Sequence, residues 1–465
     1  MTSVLPNVVS GENPESMPTV ADYLAADRGT PSPPLFERST LDLGNAPVAK
    51  DCYTSKAYHD VEVERLWKKT WQMACRENDI PAVGDRLVYD IVGQSVIIVR
   101  VAPDAIRAYH NVCRHRGNRL LEEGCPPSAV IECSFHGWSW NLDGSLRRVP
   151  CRWDFPEVDD AKFGLPECRV GRWNGMVFVN LDSEAEPFDD HIGDTLRRHF
   201  ECWPRERAWK AGHVGKVLPC NWKVAAEAFL EVYHTVRTHA DSLTFTADCN
   251  AQYDFWGPHL RLISCFGAPS PHVGDGVDDQ TTVETMVGAL LTKTFGEDIT
   301  IPVLKDGERP RDVMSDLVRQ GIRERIGVDL SGASDAEVLD IIQYYVFPNL
   351  WPWGGYAFPL VFRVRPNGDD HESSIFEMMV LVPLPPGIDP PKDMPLRMTP
   401  SDEPWAEAFE LGALGRFLDQ DMVNLNKIQR GLNSDGLREV VFANAQERNI
   451  RNFHHHLTDR LERGQ

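Results

Sequence analysis

No stretch of the sequence runs the roughly 20 apolar residues that a membrane-spanning helix needs. The opening, MTSVLPNVVSGENPESM, has no basic segment leading into an apolar one, so it does not read as a secretory leader. Basic residues are in deficit: 48 Lys and Arg stand against 69 Asp and Glu, a net charge of −21. A chain this acidic lacks the positive footprint that nucleic acid demands; it is better suited to docking a basic partner surface. Disulfide-framework spacing is missing too. The Cys residues number 11, scattered and odd in count, which fits a reducing compartment. There is no internal repeat. No Gly-x-Gly-x-x-Gly follows a strand pattern, so no flavin or nicotinamide site is expected. Together these absences predict a soluble, cytoplasmic protein that handles neither nucleic acid nor membrane. What remains is ordinary globular composition, 42% hydrophobic and 25% charged over 465 residues, for which two domains are the natural expectation.

Two short stretches then stand out: Cys113-Arg-His115 and Cys133-Ser-Phe-His136, the second followed by Gly137 and Trp138. Two thiols and two imidazoles in two loops will hold metal. Zinc is one reading, since Cys2His2 is a closed tetrahedral site. Zinc spacings usually bring the Cys pair from one loop and the His pair from elsewhere, whereas here each loop supplies one Cys and one His. That suits a [2Fe–2S] cluster in which one iron takes both sulfurs and the other both imidazoles, an arrangement that raises the reduction potential above an all-Cys cluster. CRHRG…CSFHGWSW resembles the paired Rieske loops of ring-hydroxylating oxygenase large (alpha) subunits. Respiratory-type Rieske proteins carry an extra Cys in each loop; neither loop has one here. Cys125, between the loops, reads as a buried thiol.

In chain order, Pro- and Ser-rich residues 1–50 read as an arm wrapping the surface, and 55–72 as a helix. Period-two patterns follow at 86–92 and 95–100 around a Gly93-Gln94 turn, then a hairpin at 141–144 and a closing strand at 173–180. Residues 184–210 look helical, 250–266 β-rich, and 275–340 like a polar insertion or cap with a helix near 309–327. Strand patterns at 342–347, 360–365 and 374–382 precede a long helix over 403–433. The expected division is 1–73 (arm and helix), 74–183 (cluster domain) and 184–465 (catalytic domain).

A second concentration of chemistry lies at 221–239. Glu227, Glu231 and His234 recur at i, i+4, i+7, one face of a helix. His239 would sit about 140° from His234 on an ideal helix, so the two can share a metal only where the helix bends or ends. A two-His site calls for a carboxylate, the non-haem Fe(II) facial triad. In the C-terminal helix, Leu414, Leu418, Leu425, Ile428 and Leu432 trace an apolar stripe whose gap is filled by Asp421; Asp419 should face solvent. A carboxylate on a buried stripe is costly unless it binds something, so Asp421 is the expected third ligand beside His234 and His239. A surface helix with two His, or a buried Asp paired with backbone or Arg, is the plainer alternative.

The segment NWK-x3-E-x3-E-x2-H-x4-H is similar to the mononuclear-iron segment of the same oxygenase family, and QD-x7-QRGL to its third-ligand helix, especially in the choline and carnitine branch. The resemblance covers about 50–460. It implies an α+β protein: a small antiparallel-β Rieske domain plus a helix-grip catalytic domain, an antiparallel sheet with a long C-terminal helix. It also implies a [2Fe–2S] cluster on Cys113, His115, Cys133 and His136, mononuclear Fe(II), and O2-dependent hydroxylation of a small organic substrate. Glu231, where many dioxygenases have Asp, is implied to bridge His234 to a cluster His of the neighbouring subunit in a head-to-tail homotrimer, with or without a β subunit. Electrons would come from a separate ferredoxin or reductase. Phe347, Trp351, Trp353, Tyr356, Phe358, Phe362, Met378 and Met379 crowd the catalytic half, mostly as core, and suggest a bulky hydrophobic substrate. A Rieske electron carrier without oxygenase activity, a small quaternary amine as substrate, and a zinc-stabilised binding module are the rival readings.

Overall fold

The computed structural model describes residues 18–40, 43–239, 243–268, 277–291 and 300–463; parts of the expected arm and insertion (1–17, 41–42, 275–276, 292–299) lie outside these. Alternating Val and Ile across 86–102 form the hairpin Arg86–Ile91 and Gln94–Ala102. Its turn is Val92-Gly93, both with positive φ (42° and 74°), the geometry that matches strand twist in a two-residue hairpin. This hairpin is one edge of a six-stranded antiparallel sheet, continuing through Ala105–His110, Glu167–Trp173 and Met176–Asn180 to Gln72–Arg76. The last strand begins just before the expected boundary at 74. A small three-stranded sheet, Val130–Glu132, Ser139–Asn141 and Leu146–Arg148, carries the second metal-loop motif between its first two strands, while the first follows Ala105–His110 of the larger sheet.

The second half is built on a five-stranded sheet in the order Leu350–Pro352, Leu360–Asn367, Asp370–Val382, Trp209–Leu218, Arg397–Thr399. Only the last pairing is parallel. A three-stranded sheet of Gln252–Trp256, His259–Ser264 and Ile341–Tyr345 joins it through bridges at Gln343–Trp353 and Val346–Leu350. The long helix is shorter than expected, Leu414–Leu432, preceded by two single 3₁₀ turns at Trp405–Glu407 and Phe409–Leu411. Leu418, Leu425 and Leu432 join the apolar core with Phe362, Phe376 and Met378. This is the predicted α+β arrangement, with a helix gripped by an antiparallel sheet. Two stripe assignments need correcting. Ile428 is 47% exposed, and Gln429 is buried in its place. Asp419 does not simply face solvent: it accepts hydrogen bonds from the Trp405 and Ala406 N–H groups (2.7 and 3.0 Å) and so caps a 3₁₀ turn. Cys125 is half-buried rather than buried.

The arm earns its place through charge. Arg311, buried in the helix Pro310–Ile326, is clamped by Asp27 of the arm (2.8 Å) and by Asp340. His259 is another buried polar group with a directional environment. Its Nε2–H donates to the His191 carbonyl (2.6 Å) and its Nδ1 accepts from the Phe347 N–H (3.2 Å). The bond at Nδ1 requires the neutral ring, and burial, reinforced by His191, holds its pKa at about 3 against an ordinary 6.5. The folded ring refuses a proton that the unfolded chain accepts, so stability falls as pH drops from 6.5 towards 3. The expected slope from this residue is up to about 1.4 kcal/mol per pH unit. Thermal melts across this range should show it, and His259→Gln should flatten the curve.

Candidate metal centres

The loops Cys113–Gly117 and Cys133–Gly137 are built alike. The Cys113 N–H donates to the Asn118 carbonyl and Gly117 N–H returns to the Cys113 carbonyl (2.8 and 3.0 Å). Cys133 does the same with Trp138 and Gly137 (2.8 and 2.9 Å). Both closing residues have φ near +70°, a conformation open to Gly without strain, which explains the Gly in each motif. The loops aim backbone N–H groups of His115 and Arg116 at the Cys113 sulfur, and of Phe135 and His136 at the Cys133 sulfur. Asn118 Nδ2 lies 3.6 Å from Cys133 Sγ. Such donors stabilise thiolate and sulfide. Both sulfurs are buried, whereas His136 is exposed and its ring lies 4.7 Å from that of His115. Trp138 stacks flat on His115, 2° from parallel. Among the described residues, one set of three or more metal-binding side chains converges within 4.8 Å, and these four are not it. Donors spread in two pairs fit two irons better than one zinc.

The set that does converge is His234, His239 and Asp421. His239 Nε2 is 3.1 Å and His234 Nε2 3.6 Å from Asp421 Oδ1. The backbone achieves this differently from the expected helical face. The helix stops at Glu227, so Glu227, Glu231 and His234 do not share one face. Residues 228–234 are irregular, and His234 and His239 flank the single turn Thr235–Thr238. One tertiary and one local bond hold this path: the Val232 N–H donates to Tyr253 Oη (3.2 Å), and Glu231 Oε2 accepts from the His234 N–H (3.0 Å).

The other nitrogen of each imidazole is fixed. His234 Nδ1 bonds Glu231 Oε1 (2.6 Å) and His239 Nδ1 bonds Gln420 Oε1 (2.7 Å). Each Nε2 lone pair is thereby left for the centre, the arrangement in which outer partners orient metal-binding His. Burial opposes charge on His234, but Glu231 and Asp421 outweigh it and raise its pKa to about 9; the pull that retains a proton there is the pull a divalent cation would take over. Sequence reasoning missed Gln420, although it adjoins Asp421, because orientation of a ring nitrogen leaves no periodic signal. The same helix holds the segment at two further points: Asn424 Nδ2 to Thr238 Oγ1 (3.3 Å), and Gln429 Oε1 from the Asn221 N–H (2.8 Å).

This donor set is a partition between two cavities. On one side a cavity of about 130 Å³ is lined by Phe229, Leu243, Phe266, Trp353, Phe358, Phe362 and Met378, among others. Four of the eight expected core aromatics and methionines therefore face it, while Trp351 and Met379 are core. On the other side a cavity of about 520 Å³ is lined by Tyr53, Glu227, Glu231, Asn424 and Glu447. Ala228, Glu231, His234 and Asp421 line both.

The family of ring hydroxylating alpha subunits (catalytic domain) matches residues 198–463. The chain belongs to this family. The Rieske [2Fe–2S] domain matches residues 70–159. Relatives of this alpha subunit include the biphenyl 2,3-dioxygenase subunit alpha of Rhodococcus jostii (strain RHA1), 32% identical over 40% of this chain and 42% of that one. The carnitine monooxygenase oxygenase subunit of Escherichia coli (strain K12) is 29% identical over 40% and 50%. The matched stretch thus spans about half or less of these curated relatives. Two solved structures share the fold at 18% identity. A quaternary ammonium Rieske monooxygenase in complex with L-carnitine superposes with a TM-score of 0.62, over 90% of this chain and 96% of that one. Naphthalene 1,2-dioxygenase with indole bound does so at 0.60, over 91% and 93%. Family membership carries a Rieske cluster and a mononuclear non-haem iron, and both donor sets fit. Among the described residues, no helix is long and apolar enough to cross a membrane.

Proposed function

We propose that this alpha subunit is the oxygenase component of a multicomponent system, hydroxylating a compact, uncharged hydrophobic substrate. The observation that carries it is the apolar cavity closing directly on the His234, His239 and Asp421 donors. In this reading Cys113, Cys133, His115 and His136 hold the [2Fe–2S] cluster, which supplies single electrons, and His234, His239 and Asp421 hold Fe(II), which supplies the O2-binding centre. The chain's own part is to exclude water with Phe358, Phe362 and Trp353, and to hold the imidazoles through Glu231 and Gln420. Gln343 is the one neutral amide on the wall among the described residues. Oriented so that its N–H donates to the Phe229 carbonyl and its oxygen accepts from Trp353 Nε1, it is tied to the frame.

No Lys or Arg lines the cavity among the described residues, which disfavours an amine that also bears a carboxylate. A volume near 130 Å³ matches about one ring, since an apolar cavity of about 150 Å³ accepts benzene, so we narrow the bulky hydrophobic substrate expected from the sequence to a compact one. Anaerobically reduced protein treated with nitric oxide should give two EPR signals, a His-ligated [2Fe–2S]+ cluster and a high-spin Fe–NO centre. With its electron partners it should then hydroxylate single-ring hydrocarbons. Cluster signal alone in iron-replete protein would leave an electron carrier, and zinc without iron would overturn the reading. Turnover of a trimethylamine with no hydroxylation of hydrocarbons would sink the substrate class.

The cluster tip favours a head-to-tail ring. Phe135 and Trp153 are 57% and 81% exposed, beside exposed Arg114 and Arg116. The cavity holding Glu231 and Glu447 is also lined by exposed Ile428 and by Val440 and Phe442, and exposed Tyr233, Val423 and Val441 adjoin its lining residues in sequence. An aromatic, cationic tip fits an apolar rim with acidic centre, and such heterologous contacts close into rings. Light scattering should read three chains; a monomer at micromolar concentration would exclude the ring.

A further inference from the structure

Three polar side chains from distant parts of the chain meet in the wall of the larger cavity, away from the substrate side. Tyr53, on the helix Asp51–Thr54, donates its hydroxyl to Glu227 Oε1 (2.8 Å). His454, on the helix Arg448–Arg463, places Nε2 at 2.7 Å from the same oxygen. The two partners also touch each other, Tyr53 Oη to His454 Nε2 at 3.0 Å. Tyr53 and His454 are buried, and the Glu227 side chain is 14% exposed. The surroundings are apolar: Val224, Leu425, Leu432 and Ile450 line the same cavity, and Phe442 stacks on His454. The charged or titratable neighbours are Glu231, His234, Asp421, Lys427 and Glu447 around the cavity, and Lys223, Glu62 and Cys52 behind Tyr53. Burying three polar groups among apolar side chains is costly unless they pair, and the pairing seen here uses only one of the two Glu227 oxygens.

We propose that Tyr53, Glu227 and His454 form an internal proton store for the iron centre. The inference rests on the oxygenase reading. Hydroxylation consumes two protons as well as two electrons: RH + O2 + 2e⁻ + 2H⁺ gives ROH + H2O, and cis-dihydroxylation likewise takes up two of each. The electrons come from the cluster. Among the described residues, the wall on the substrate side offers no acid beyond Glu231 and Asp421. Glu231 is committed to His234 through both oxygens. Glu227 differs: both its hydrogen bonds fall on Oε1, which leaves Oε2 for the cavity that Glu231, His234 and Asp421 also line. When charged, the store carries one proton on Glu227 Oε2 and one on His454 Nε2. The Oε2 proton leaves to cavity water and so to the centre, the His454 Nε2 proton follows onto Glu227 Oε1, and a turn of the carboxyl presents it to the cavity as the second. Water entering between turnovers restores both. A neighbour's tip closing the cavity would cut off bulk solvent and make this store the supply that remains.

Wild-type holoenzyme, reduced and mixed with O2 and a hydroxylated substrate in H2O and D2O, sets the reference; if it forms no product, the oxygenase reading fails rather than the store. Glu227→Gln keeps the shape and the acceptor but carries no proton. It should slow single-turnover product formation at least about tenfold, at the low edge of positioned acid–base effects, and enlarge the solvent isotope effect. Iron content and cluster EPR should stay at wild-type levels. Infrared titration of iron-free protein gives a readout independent of turnover. A carboxylic-acid band absent in Glu227→Gln should move by about one pH unit or more in His454→Asn, as coupled groups do. Should Glu227→Gln fail to fold, His454→Asn carries both measurements. Rates within twofold of wild type with full iron, a carboxyl band indifferent to His454, or loss of iron in both variants would each overturn the proposal, the last by showing a purely structural cluster.

Discussion

The Asp421→Ala protein is expected to lose its mononuclear iron and more than about 100-fold of its turnover, with the [2Fe–2S] spectrum unchanged. Changing an outer partner of a metal site typically costs 10–100-fold in affinity or activity, and Asp421 is placed as a direct donor. Its carboxylate is the one anionic member of the converging set, 3.1 Å from His239 Nε2 and 3.6 Å from His234 Nε2. Removing it leaves the two imidazoles to hold a dication without a carboxylate donor, since Glu231 is engaged with His234 Nδ1 and the His234 N–H. Asp421→Asn keeps the volume and one oxygen, so it separates charge from shape; the expectation is iron loss nearly as complete. The plainer alternative, a buried Asp serving only the fold, predicts reduced stability with normal iron per folded chain. Iron analysis alongside cluster EPR therefore decides between them, because the cluster sits on the separate antiparallel sheets and reports folding of that half.

Asp421 also shows what the sequence makes legible. Its place in an apolar stripe is enough to single it out, since a charge at a buried register must be compensated. The loop pair is legible for a similar reason: Cys, His and Gly at fixed offsets each have a local job, binding or turning the backbone. The irregular path from Ala228 to His234 is not legible. The residues there, Ala-Phe-Leu-Glu-Val-Tyr-His, contain no Gly or Pro, and their helix propensity is ordinary. The break is held by the Val232 N–H bond to Tyr253, a contact that exists only once the chain has folded, and by Glu231 accepting from the His234 N–H three residues on. Ile428 and Gln429 exchange places for the same kind of reason. Gln429 is buried because the Asn221 N–H needs its oxygen, and an unpaired buried amide would cost more than an exposed Ile. The motifs NWK and QRGL are thus two halves of one contact, which neither half reveals alone.

The other member of NWK carries the largest expected effect on stability. Lys223 and Glu62 are both fully buried, with Nζ 2.6 Å from Oε1. Trp222 Nε1 donates to the second Glu62 oxygen at 3.1 Å, and the ammonium lies 5.0–6.0 Å from the ring centroids of Trp222, Tyr58 and Tyr53. Burial pushes the Glu62 carboxyl up, and Lys223 and the indole N–H work against it. Lys223→Met should therefore cost about 3–5 kcal/mol, because it strands a carboxylate in an apolar interior rather than because the pair itself is strong. The double variant Lys223→Met, Glu62→Leu removes both charges at similar volume. It should recover most of that loss, and denaturant melts of the three proteins measure the difference. The sign of the recovery is the informative part. If the double variant is no better than Lys223→Met, the pair is anchoring the arm helices to the iron segment through geometry. The iron content of both variants would then fall together, since Lys223 lies directly upstream of the turn that positions His234.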